Sequence, residues 1–140
     1  MIRVDVADRV KAAWADAAAL ARLVRRVLAA ENVRDARIGL ALLDDREMHR
    51  VNLAHLKHDY PTDVLSFLLS EGEGPLEGEV LVGVERAIEN AKAYGRTVEE
   101  EIRLYVVHGL LHLVGYDDQR PAEARRMARR QEELLETAGS

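Results

Sequence analysis

Apolar and charged residues alternate through IRVDV, residues 2 to 6, which is the period of a short strand with one wetted face. The period then changes. From about Val10 to Ala30 the apolar positions Val10, Ala13, Trp14, Ala17, Val24 and Leu28 recur at helical spacing, and the alanine-rich content favours a helix on its own account. ARIGLALL, residues 36 to 43, reads as a buried strand. Asp44 or Asp45 can cap the next helix, which has Met48, Val51 and Leu53 for its apolar side and ends before the turn at Asp59-Tyr60-Pro61.

VLSFLL, residues 64 to 69, is a β-branched and aromatic run of strand length, and EGEGPLEGE after it breaks the pattern with three glycines and a proline. That loop joins to a second strand, VLVGV, at 80 to 84. A helix from about Glu85 to Tyr94 stops at Gly95, the usual residue just beyond a helix end. Thr97 and Glu100 have the spacing of a capping box for a helix running to about Val114, where Gly115 ends it. Pro121 opens the last helix, with Met127, Leu134 and Leu135 as its inward residues. Repeats, low-complexity tracts and linkers are absent from the sequence. The pattern predicts one α+β domain over residues 1–140, an about four-stranded mixed sheet covered by about five helices.

Composition narrows the chemistry. With 140 residues and 48% hydrophobic content the chain can bury a single core without staples. It contains no cysteine, so a metal would be held by His, Asp, Glu or water. The start, MIRVDVADR, carries charges where a signal peptide needs an apolar run, and no segment approaches the roughly 18 apolar residues of a membrane span. The expectation is a soluble, cytoplasmic protein with no membrane partner. A net charge of −5 argues against a generic polyanion binder. Arg120, Arg125, Arg126, Arg129 and Arg130 form one local basic cluster, but Glu123, Glu132 and Glu133 interleave with them, the composition of a solvated helix face.

The densest chemistry lies in HGLLHLVGYDD, His108 to Asp118. Residues four apart share a helix face, so His108 and His112 can both point at one ion. Such a pair alone is more often ordinary surface or core histidine. Gly115 adds to it, because a glycine three residues after the second His can turn the chain back toward the helix. The spacing HxxxHxxGxxD then brings Asp118, rather than Asp117, into the place of a third ligand. Two imidazoles and a carboxylate leave a fourth tetrahedral position for water, the composition of a catalytic zinc site rather than a closed structural one. The plainer alternative for Asp118 is a capping or turn residue ahead of Pro121.

HGLLHLVGYDD resembles the pattern HGxLHLxGYDH of the YbeY endoribonucleases, also called ribosomal RNA maturation factors. NLAHLKHDYPTDVLSF, Asn52 to Phe67, is similar to a second block of that family, NxxxRxxDxPTDVLSF, and GEVLVGVERA at 78 to 87 is similar to a third, GDIxIxxxxA. The resemblance covers most of the chain from about Ala36. It implies a metalloprotein that holds one Zn²⁺ ion and cleaves single-stranded RNA in small-subunit ribosomal RNA maturation and ribosome quality control, with ribosomal RNA or the small ribosomal subunit as partner and no DNA.

The family's three metal histidines map onto His108, His112 and Asp118, so this chain departs at the third. A carboxylate keeps an oxygen donor there and lowers the formal charge of the site by one. The family's arginine in the second block falls on Leu56, which cannot hold a phosphate. Lys57 and His58 are the adjacent cations, either taking over that task or forming a solvated helix end. Thr62, Asp63 and Ser66 match the family and are candidate cleft residues, though a Pro-Thr-Asp turn entering a strand uses Thr62 and Asp63 structurally as well.

The implied mechanism is phosphodiester hydrolysis by zinc-bound water, with no general base assigned. One alternative is a ribosome-assembly binding factor with a structural metal and little nuclease activity, in keeping with Leu56 and the acidic balance. A second is a metzincin-like protease, which shares the ligand spacing but needs Glu directly after the first His, where this chain has Gly109.

Overall fold

The computed structural model describes residues 1–11, 16–56 and 63–139. Four strands, β1 (Ile2–Asp8), β2 (Ala36–Leu43), β3 (Val64–Leu68) and β4 (Leu76–Gly83), form one sheet in the order β1-β2-β4-β3. β1 and β4 each pair parallel to β2, and β3 runs antiparallel to β4 along the far edge. Among the described residues five helices cover it: α1 (Ala17–Ala30), α2 (Asp45–Leu56), α3 (Val84–Tyr94), α4 (Val98–Leu113) and α5 (Pro121–Gly139). The expected α+β class and mixed four-stranded sheet are those observed.

Alternation sorts the sheet's side chains into two cores. Ile38, Leu40, Leu42, Val80 and Val82 face α1 and α4 in the main one. Leu43 and Leu65 face the other way and close over Met48 of α2 in a smaller one, with Val51, Phe67 and Leu81 at its edge. α4 is the hub, packing on β3, β4, α1, α3 and α5. Its sequence reflects that place: Ile102, Tyr105, Val106, Val107, Leu110, Leu111 and Leu113 are buried around most of its circumference, as befits a helix enclosed by its neighbours.

Several boundaries differ from the sequence pattern. α1 begins at Ala17, where the Asp16 carboxylate accepts the N–H groups of Ala18 and Ala19. Val10 cannot belong to it, since the Asp8 carboxylate gathers the N–H groups of Val10 and Lys11 into a turn and Lys11 takes a left-handed φ of 56°. Ala13 and Trp14 lie outside the described residues. β4 begins at Leu76, four residues before the expected start, because Leu76, Glu77, Gly78 and Glu79 pair with β2. Gly78 belongs in that strand: a Cβ there would stand 2.9 Å from a methyl of Leu113 and 3.1 Å from the Phe67 carbonyl oxygen. Leu53 was expected on the apolar side of α2 but is exposed, and Asn52, one residue earlier, is the buried one.

Candidate metal centre

α4 carries His108 and His112 one turn apart, and the position of α4 on the sheet is set by Gly109. A Cβ at Gly109 would lie 2.6 Å from Val80 Cγ1 and 3.0 Å from Ser66 Oγ, so only a glycine lets the helix approach this closely. Ser66 Oγ donates to the Gly109 carbonyl oxygen at 2.9 Å and ties β3 to the helix. The capping box at the other end of α4 is formed as expected, with Thr97 and Glu100 each accepting the other's backbone N–H.

Beyond α4 the chain reverses at Gly115, whose φ is 105°. Tyr116 N–H returns to the Leu111 carbonyl. Asp117 then spends its carboxylate on the N–H groups of Asp118 and Gln119, at 2.7 and 3.1 Å. Asp118 turns toward the histidines: its Oδ2 lies 3.7 Å from His108 Nε2 and 3.5 Å from His112 Nε2, while the two Nε2 atoms are 3.1 Å apart. Among the described residues His108, His112 and Asp118 form a group able to hold a metal ion. The spacing suits one. Donors about 2.0–2.1 Å from a shared zinc at tetrahedral angles lie about 3.3 Å from one another.

The other ring nitrogens give the site its chemistry. His112 Nδ1 faces the Tyr116 carbonyl oxygen at 3.1 Å, and His108 Nδ1 faces Gln131 Oε1 on α5. Both partners are acceptors and suit a proton on Nδ1, the tautomer that leaves each Nε2 lone pair free to face inward. Two lone pairs and a carboxylate oxygen thus converge on one point, an arrangement that a cation stabilises. The three side chains are 29%, 31% and 45% exposed, which leaves the centre open to water and to a substrate on one side. Tyr105, three residues before His108, is buried, and burial pushes its phenol up to about 12, so it offers no base at neutral pH.

Asp63 and Ser66, expected as cleft residues, are both used structurally. Asp63 accepts the Val64 N–H with its side chain and the Gly83 N–H with its carbonyl, joining β3 to the end of β4. The hydroxyl of Ser66 is on Gly109. Lys57, His58 and Thr62 lie outside the described residues. The C-terminal arginines are divided: Arg120, Arg125, Arg126 and Arg129 are exposed, whereas Arg130 pairs with Glu31 at 2.7 Å. Arg126 stacks over the Tyr116 ring at 5.3 Å. Sequence reasoning missed Gln131, although a signal for it existed. It stands four residues after Met127 and three before Leu134, a polar position inside the apolar stripe of α5.

Fold and site together define a class, a small α+β domain with an open three-donor candidate metal centre on its central helix. The chain belongs to the YbeY family: the model described as Endoribonuclease YbeY matches residues 5–139. It is 46% identical to Endoribonuclease YbeY of Anaeromyxobacter sp. (strain Fw109-5) over 80% of this chain and 59% of that protein. It is 41% identical to the protein of the same name from Salinibacter ruber, over 86% of this chain and 82% of the other. The chain therefore spans under two thirds of the first relative and most of the second. A solution structure of a Thermotoga maritima protein is similar over 99% of this chain and 89% of that one, with a TM-score of 0.68 at 28% identity.

Proposed function

We propose that this protein is a zinc-dependent endoribonuclease that cuts single-stranded RNA, acting in the cytoplasm in small-subunit ribosomal RNA maturation and ribosome quality control. The observation that carries the reading is the convergence of His108 Nε2, His112 Nε2 and Asp118 Oδ2, in a family whose members are named as endoribonucleases. Two imidazoles and one carboxylate suit zinc, though also other first-row metals, and they leave one coordination place open. A zinc ion held there would supply an activated water and charge stabilisation for a phosphodiester.

The protein's own residues do the rest. The Tyr116 carbonyl oxygen, set by the Gly115 turn, faces His112 Nδ1 and favours the ligating tautomer of that ring. Asp117 fixes the turn that delivers Asp118. Gly109 removes the protease alternative's general base and the room for one, since a side chain there would run into Val80. No helix among the described residues is long and apolar enough to cross a membrane.

The test combines metal analysis with cleavage of a single-stranded RNA, its duplex and the same sequence as DNA. The wild type should carry one zinc per chain and cut only the single-stranded RNA. His112→Ala and Asp118→Ala should lose both metal and cleavage, while Asp117→Ala keeps most of its metal. Bound metal without metal-dependent cleavage would instead favour the ribosome-assembly binding factor with a structural ion. Metal lost from Asp117→Ala but kept by Asp118→Ala would mean that the wrong aspartate has been assigned.

A further inference from the structure

The two candidate ligand histidines are oriented by different means. The partner of His112 is a backbone carbonyl four residues along the same chain segment, fixed by the Gly115 turn. The partner of His108 is a side chain on another helix, 23 residues away. We propose that Gln131 is a positioning residue of the metal centre, one that makes the seating of α5 part of the affinity for the ion. The inference rests on the metal reading above and adds a residue and an element to it.

The chemistry runs through one proton. An imidazole that ligates through Nε2 must carry its proton on Nδ1, and the amide oxygen of Gln131 accepts that proton. Without an acceptor the ring can hold its proton on Nε2 instead, or swing about χ2, and either change withdraws the lone pair from the centre. The amide oxygen also makes the imidazole a better donor, as acceptors behind metal-ligating histidines generally do.

Gln131 can do this because α5 holds it still. Met127 and Leu134, on the same face one turn to either side, are buried in the main core. Arg130, the preceding residue, pairs with Glu31 and donates to the Ala30 carbonyl at the end of α1. The stretch of α5 that carries the amide is therefore held on both sides of Gln131. A groove between α4 and α5, lined in part by Arg103, Leu104, Ala128 and Leu135, borders Gln131 and gives a replacement side chain room.

The experiment titrates the metal-free protein with Zn²⁺ against a chromophoric chelator, and with Co²⁺ to read the ligand-field spectrum. The proteins are wild type, Gln131→Leu, Gln131→Glu and, as a control on the exposed side of α5, Glu132→Leu. Gln131→Leu should weaken zinc binding about 10- to 100-fold and alter the Co²⁺ spectrum. Gln131→Glu presents a stronger acceptor to the same proton and should bind at least as tightly as wild type, and Glu132→Leu should match wild type. Circular dichroism of each metal-free protein shows whether it is folded. If Gln131→Leu fails to fold, Gln131→Glu decides: binding within threefold of wild type or tighter upholds the role, and binding weakened further overturns it. Wild-type affinity in a folded Gln131→Leu also overturns it. A wild type that binds neither ion in the same titration defeats the metal reading itself, a result distinct from either.

Discussion

Gly109 shows how one missing side chain positions a site. Its backbone lies against Val80, Ser66 and Val64, and that contact fixes how deep α4 sits and hence where His108 and His112 project. Gly109→Ala brings two opposing effects. Alanine favours a helix by up to about 1 kcal/mol over glycine. Its methyl, however, would start 2.6 Å from Val80 Cγ1, a buried atom on a strand paired on both sides. Overpacking of this kind costs about 1–3 kcal/mol, so the net expectation is a loss of up to about 2 kcal/mol. Urea unfolding of the metal-free protein measures it, and an alanine variant more stable than wild type would show that helix and sheet do not touch here. The sequence pattern offers this glycine only as the residue that removes a protease's base. Its packing role depends on Ser66 and Val80, which are remote in sequence.

At the scale of elements, legibility followed locality. The α4 capping box was readable because Thr97 and Glu100 are three residues apart and bond to each other. The α3 stop was readable because Gly95 takes φ 67°. The start of β4 is not legible locally because the partners that hold Leu76 to Glu79 extended are on β2, about 40 residues earlier. The same reason hid Gln131, whose partner is on α4. The capping box also yields a pH prediction. The backbone N–H of Thr97, then its hydroxyl, holds the Glu100 carboxyl below its ordinary value. A carboxyl with a depressed folded-state pKa contributes stability above its unfolded value and loses it as the pH falls through the folded one. Wild type should therefore lose stability in acid more steeply than Glu100→Gln, which keeps the reach of the cap without the charge. Urea midpoints between pH 6 and pH 3 give the comparison, and parallel curves would count against the cap's charge contributing. Thr97→Ala should cost about 1 kcal/mol at neutral pH.

For the molecule as a whole, charge limits how RNA can be held. Twenty Lys and Arg stand against 25 Asp and Glu, so long-range attraction to a polyanion is weak and binding has to come from cations beside the centre. Arg130 is committed to Glu31. Arg126 is better placed, stacked on Tyr116, whose carbonyl holds His112. Leu56 leaves the family's arginine position without charge, and Lys57 and His58 adjoin it in sequence. Those groups can neutralise about two phosphates, which for a single strand gives a slope of roughly −1.5 for log affinity against log salt. Arg126→Gln should then reduce the steepness by about 0.7, the loss of one phosphate contact. The measurement is fluorescence anisotropy of a labelled single-stranded RNA on metal-free protein, so that cleavage does not intervene. A slope of about −4 or steeper would mean six or more phosphate contacts, far more than Arg126, Lys57 and His58 can make. It would move the RNA path onto the exposed face of α5, where Arg125 and Arg129 stand, and onto Arg120 just before the helix, and triple replacement of those three would then flatten the slope where Arg126→Gln does not.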